Sequence, residues 1–191
     1  FAHKDHLGYL VDDRKKKYYP QLVVSSIGEN LAKFVNSAKV FTPEEVVSSW
    51  MNSPEHKENI LNPTYTHLGV GVFTKDEVLL VTQNFATPVV KLLSEIPDQL
   101  EPQYQYQLLF EYMSTKPAKE LKAVLNFPDM RFKYNIDDRS YTVGMKPVPL
   151  QWIGEKQLEV IIDFPAGRGN YVLCFGFNNF YWEEGIKLKV K

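Results

Sequence analysis

The chain has almost no cysteine. Cys174 stands alone among 191 residues, so no internal disulfide can form and no cysteine pair is available for a structural zinc. An excess of either charge is also missing. Lys and Arg total 22 against 23 Asp and Glu, a net charge of −1, which leaves no global field to attract phosphate backbones or anionic lipid and excludes nucleic acid as an expected partner. No apolar run approaches the roughly 20 residues that a membrane helix needs, and no signal peptide is present. The chain begins at Phe1 rather than Met, and an upstream piece such as a signal or anchor is expected to have been removed or left out. Metal-protease and phosphate-loop signatures are absent as well. His56 is followed by Lys57, so HExxH fails, and neither a Gly-rich loop ending in Lys and Ser or Thr nor G-x-S-x-G occurs.

Hydrophobic residues make up 44% of the chain and aromatics 14%, enough to build packed cores and too much for disorder. At 191 residues the length favours two compact units, because domains cluster at about 100 to 150 residues. The basic run Arg14 to Lys17, followed by Tyr18 and Tyr19, reads as a solvated face ahead of a basic binding patch. Cys174 sits in YVLCFGF, where strand alternation sets it opposite Tyr171, Leu173, Phe175 and Phe177. A buried, inert thiol follows from that position.

The two halves have different periods. In FTPEEVVSSWMNS, Thr42 caps, Pro43 suits the first helical position and Glu45 completes a capping box, while Val46, Val47, Trp50 and Met51 share one helical face. Helices are therefore expected at 43–52 and 54–61, the second with Ser53 as cap. HLGVGVF and VLLVTQNF read as two strands joined through Thr74 to Glu77. The segment 88–103, with Pro88, Pro97 and Pro102, reads as a linker. From Tyr104 onward the pattern alternates strictly, as in Leu158, Val160, Ile162 and Phe164, and again in Ile186, Leu188 and Val190 against Lys187, Lys189 and Lys191. Seven or eight such short strands describe a β-sandwich, Ig-like or similar, over 104–191.

FAHKDHLGY with Arg14, then GENLA at 28–32, then EEVVSSWMNSPEHKENILNPTYTHLGVGV, then VTQNFA at 81–86, occur in one order with compatible gaps. This series resembles the bacterial, SCP-like branch of the CAP superfamily, which groups cysteine-rich secretory proteins, antigen 5 proteins and plant pathogenesis-related proteins. The resemblance covers about residues 1–87. It implies an α+β protein: an α-β-α sandwich CAP domain at 1–87, its first long helix without a counterpart in the chain, followed by the all-β domain. It also implies a surface cleft, to which His3, Glu29 and His56 carry over as the histidine of the first motif, the glutamate of the GEN motif and the histidine of the third. Two imidazoles and a carboxylate suit a divalent cation, Zn or another. Two departures accompany the match. Ser53 stands near the place of the second glutamate of animal members, and Glu55 replaces the glycine before the histidine, with Glu55 or Glu45 able to compensate.

Each of these residues also has a plainer reading. His3 and His56 can serve as hydrogen-bond partners of Glu29 in a polar network that needs no metal. Glu29 can equally cap a segment beginning at Asn30. His6 and His67 carry no family role and read as surface or core-edge residues, Trp50 reads as core, and Trp152, Tyr181 and Trp182 read as core packing ahead of a sugar platform. The expected function is that of a secreted or surface-exposed, non-catalytic binding protein, its ligand a lipid, glycan or protein. The alternatives are a metal-dependent, peptidase-like hydrolase using the same cleft, and an adhesin whose β-sandwich carries recognition.

Overall fold

A computed structural model describes residues 3–35 and 41–191; Phe1 and Ala2 of the first motif lie outside the described residues. The fold is α+β: among the described residues the α-helices lie in the first half, a short 3-10 helix spans Ala118–Glu120, and antiparallel strands run throughout. Two compact units are present, one of residues 1–19 and 25–87, the other of residues 20–24 and 88–191.

The first unit contains α1 (Val11–Tyr18), most of β1 (Leu22–Val35), α2 (Pro43–Met51), α3 (Pro54–Leu61), β2 (His67–Lys75) and the larger part of β3 (Val78–Leu92). The start of α2 is fixed chemically: the Glu45 N–H donates to Thr42 Oγ1 at 3.3 Å and the Thr42 N–H donates to the Glu45 carboxylate at 3.0 Å, with Pro43 at a position whose N–H would go unpaired anyway. Strand β3 pairs with β2 from His67↔Ala86 to Lys75↔Val78 and has β1 on its other side. Directly opposed residues share a face of a sheet, so Val81 and Gln83 point to one side, and Leu80, Thr82 and Asn84 to the other with Gly69 and Gly71. On the first side Ala32, Val46, Trp50 and Val81 form a small core flanked by Phe34, Ile60 and Leu79. Trp50, only 3% exposed, donates its indole N–H to the Leu31 carbonyl at 3.2 Å, which locks α2 to β1.

Two elements differ from the sequence expectation. Residues 30–35 continue β1, so Glu29 lies inside a strand and has no helix to cap; the β-branched Val23, Val24 and Ile27 upstream carry the extended conformation through GEN. Residues 88–92, expected in the linker, continue β3. Pro88, which has no N–H to give to a ladder, lies within that continuation, and the register with β4 starts at Val90↔Tyr112.

The second unit is a β-sandwich. Residues 88–92 of β3 pair with β4 (Tyr106–Tyr112), which pairs with β10 (Gln157–Ile162), which pairs with β9 (Leu150–Trp152). The other sheet runs β12 (Phe180–Tyr181), β11 (Gly169–Phe177), β5 (Leu121–Asn126) and β8 (Met145–Val148), with β13 (Ile186–Val190) also on β11. A hairpin of β6 (Lys133–Asn135) and β7 (Tyr141–Val143) completes it. The alternation read from the sequence supplies the core: Leu108, Phe110, Leu158, Val160 and Ile162 meet Leu125, Leu173, Phe175 and Leu188, with Phe110 edge-on to Phe175 at 4.9 Å. Cys174 is buried, and burial pushes its thiol up to about 11, which leaves it protonated and unreactive at neutral pH. Trp152 packs edge-on against Tyr112, and Trp182 against Phe177 and Phe180, so both indoles serve the packing of the sandwich.

Lys146 on β8 is 5% exposed. Its amine meets the Asp163 carboxylate and lies 5.6 Å from the Tyr134 ring. Desolvation disfavours the charged form and brings the amine from 10.5 down to about 8, while Asp163 opposes that shift. Between pH 8 and 10.5 the unfolded chain therefore binds more protons than the folded one, and stability must rise with pH across that window. Urea unfolding of the wild type over this range will show a positive dependence on pH that is missing from Lys146→Met; equal slopes in the two proteins would refute the assignment.

Candidate functional site

The N-terminal segment is shaped by Asp5. Its carboxylate accepts the Leu7 and Tyr9 N–H groups, each at 2.9 Å, around a turn at Gly8, whose φ of 85° favours glycine. Burial would raise the Asp5 carboxyl, yet the Tyr9 and Leu7 N–H bonds, with His6 and Arg14 nearby, hold it below the ordinary carboxylate value. This turn leads into α1, and the Arg14 guanidinium on α1 reaches back to the carbonyls of Tyr9 at 3.2 Å and His3 at 3.3 Å.

Arg14 also meets Glu29. The guanidinium donates to Oε1 of that carboxylate, and Nδ1 of His3 lies 3.1 Å from Oε2. Glu29 has 4% of its side chain exposed, against 23% for Arg14 and 55% for His3. A buried carboxylate is tolerable only when its charge is paired and its lone pairs are used, and here an arginine and a histidine do both.

The neighbouring residue faces the other way, because side chains alternate along a strand. Asn30 is fully buried. Its amide donates to the His56 carbonyl at 3.0 Å and to Gln83 Oε1 at 3.2 Å, and accepts from Asn59 at 2.9 Å. Asn59 also donates to the Glu29 carbonyl at 3.4 Å. Gly28 belongs to the same face, where a Cβ would come within 2.4 Å of the Tyr65 hydroxyl. The GEN triplet thus has three separate jobs: a close approach, a paired carboxylate and a buried amide hub.

Of the three residues expected to converge, His3 and Glu29 are in hydrogen-bond contact, whereas His56 is joined to this region through its main-chain carbonyl and Asn30. Among the described residues no three His, Cys, Asp or Glu side chains gather as a metal-ion set. The donor chemistry agrees with that geometry: one oxygen of Glu29 is taken by a permanent cation and the other by His3, so the carboxylate as arranged does not fit a divalent metal. His6 and His67 are both exposed.

The Glu29 face of the sheet carries an open groove. A cavity of about 270 Å³ is lined by Arg14, Glu29, Leu31, Thr82 and Asn84 with Lys4 and Asp5. A larger one of about 860 Å³ shares Lys4, Asp5, Leu31 and Thr82 with it and extends over Gly71, Phe73 and Leu80. The smaller part is thus mainly polar, and the larger is mainly apolar with His6, Lys4 and Asp5 at its border. At the polar end Thr82 Oγ1 and Asn84 Oδ1 are buried without a hydrogen-bond partner among the described residues. Sequence reasoning passed over Arg14, Asn30, Thr82 and Asn84 as site residues, although all four lie within the quoted motifs; a basic side chain upstream of an isolated strand glutamate was the available signal for Arg14.

Residues 1–85 match the family model described as CAP: Cysteine-rich secretory protein family. A stretch of 44 residues, 23% of this chain, is 59% identical to the uncharacterized protein YkwD of Bacillus subtilis (strain 168). That stretch spans 15% of the relative's own length.

The Asn30 hub yields a stability test. Asn30→Ala leaves Gln83, Asn59 and the His56 carbonyl without their partner in a buried place, at a cost of about 2 to 4 kcal/mol. Denaturant unfolding measures it, and a loss within about 0.5 kcal/mol, the ordinary range of a surface change, would contradict the role.

Proposed function

We propose that the chain, whose residues 1–85 match the CAP family model, is a non-catalytic binding protein whose first unit holds a small amphipathic ligand in the groove on the Glu29 face. One observation carries this reading: the groove passes from Leu80 and Phe73 at one end, past Leu31 and Thr82, which line both parts, to Arg14, Glu29 and Asn84 at the other. An apolar body with a polar head matches that gradient, since apolar burial supplies the affinity and a few polar groups fix the orientation. Gly71 keeps the floor low, because it brings no side chain to that face. Glu29 is a poor candidate for a general base, as both of its oxygens are engaged by Arg14 and His3. The peptidase-like alternative therefore lacks its central group. Export to the cell exterior is part of the proposal and is supported by the secretory description of the matched family; fractionation of the producing cells tests it.

The binding test fills the groove. Gly71→Val puts two methyl groups on the groove floor, and its Cβ, 2.9 Å from Thr82 Cγ2, obliges that β-branched side chain to move, while valine itself suits a strand. Titration with a fluorescent fatty-acid probe is expected to show saturable binding to the wild type and a drop of about tenfold or more in affinity for Gly71→Val, with the unfolding midpoint little changed. Equal probe affinity in the two proteins would place the ligand elsewhere.

A further inference from the structure

We propose that Arg14 is a specificity-determining residue: it acts as a built-in counter-cation that reserves Glu29 and makes the polar end of the groove refuse divalent metal ions. Among the described residues of the first unit Glu29 is the one buried carboxylate, with 4% of its side chain exposed, and on charge alone it would be the natural anchor for a cation. The guanidinium occupies that anchor. It donates to Oε1 of Glu29 and is itself fixed by the Tyr9 carbonyl at 3.2 Å and the His3 carbonyl at 3.3 Å, so it cannot swing away without releasing the N-terminal segment. The guanidinium presents its charge in a planar fork of donors that matches a carboxylate. A divalent ion placed on Glu29 would therefore meet a fixed positive charge across a poorly hydrated site, where such repulsion is weakly screened.

The remaining ligands are also used or misplaced. His3 Nδ1 is spent on Oε2 of Glu29. The third helix is bonded to Asn30, on the opposite face of β1, through the His56 carbonyl and the Asn59 amide. Lys4, which lines the same cavity, adds a second positive group. Zinc prefers a deprotonated, unpaired donor set held in advance, and here pairing has already been completed within the protein. The geometry assigns to Arg14 what a bound cation would otherwise do, namely neutralise Glu29 and tie the N-terminal segment to β1.

The experiment titrates zinc chloride into the purified full chain, first stripped with a chelator, and follows both calorimetric binding and the thermal unfolding midpoint. Neither the wild type nor Glu29→Gln is expected to bind zinc at this position or to shift its own unfolding midpoint when zinc is added, even though Glu29→Gln starts from a lower midpoint. Arg14→Gln uncovers the carboxylate, and zinc should then bind at least about tenfold more tightly than to the wild type and raise the unfolding midpoint. Both effects should disappear in the Arg14→Gln/Glu29→Gln double variant. Arg14→Lys, which keeps the charge, should still refuse the ion. Zinc binding by the wild type that is lost in Glu29→Gln overturns the proposal, and so does a folded Arg14→Gln protein that gains none. Should Arg14→Gln fail to fold, the wild type against Glu29→Gln and Arg14→Lys still decides the matter.

Discussion

The pairing of Glu29 with Arg14 and His3 is the interaction on which the first unit depends. A carboxylate with so little exposure costs several kcal/mol to dehydrate, and that cost is met only if the N-terminal segment and α1 bring their donors to it. The next side chain, Asn30, faces the opposite way and draws in α3 through Asn59 and the His56 carbonyl. Two consecutive residues of one strand thereby hold helices to both faces of the sheet. Neither job could pass to the other residue, because a shift of one position along β1 would exchange the faces. Among the described residues the apolar core of this unit is a cluster of four buried side chains, small for its size, which explains why polar pairing bears so much of the specification here.

The second unit solves the same problem with opposite means. Its core is almost wholly apolar and aromatic, and its register is set by alternation, with Tyr171, Leu173 and Phe175 all inward on β11. Glycine enters where backbones close up: a Cβ on Gly176 would lie 1.9 Å from the Phe180 carbonyl, and one on Gly185 2.0 Å from that of Leu173. The buried polar side chain there, Lys146, is answered by the Asp163 carboxylate. Lysines 187 and 189 on β13 stay outside, and charged side chains on an edge strand discourage pairing with other chains.

Much of this was legible in the sequence, for definite reasons. The capping box at Thr42 and the strict alternation beyond Tyr104 are local signals, and local signals predict local elements well. The first α-helix was not legible. VDDRKKKY has no apolar period, and the helix is held instead by Asp13 at its start, by Lys17 over the Tyr9 ring at 4.4 Å, and by Arg14 on Glu29. The first β-strand was missed because LAKF suggests a helix, whereas the strand is imposed by β3 alongside it and by the GEN side chains, whose partners lie 15 to 53 positions away. The resemblance to the CAP family also implied three converging ligands, His3, Glu29 and His56. What it could not convey is that Glu29 would spend both oxygens within its own network.

The groove follows from the same alternation that positions Glu29. On β2 the residues that share a face with Thr82 and Asn84 are Gly71 and Gly69, so the sheet is bare there, while Leu68, Val70 and Val72 occupy the reverse face. Side chains on the flanking strands then become walls rather than floor: Leu31 stands on β1, and Leu80 and Phe73 lie across the β2–β3 ladder. The walls are apolar where the sheet is far from α1 and polar where Arg14 reaches it. A gradient of this kind is a consequence of where one helix is pinned. It requires no dedicated loop, and it makes the polar end of the groove and the anchor of α1 the same set of atoms, so that whatever binds there must coexist with an ion pair the fold cannot release.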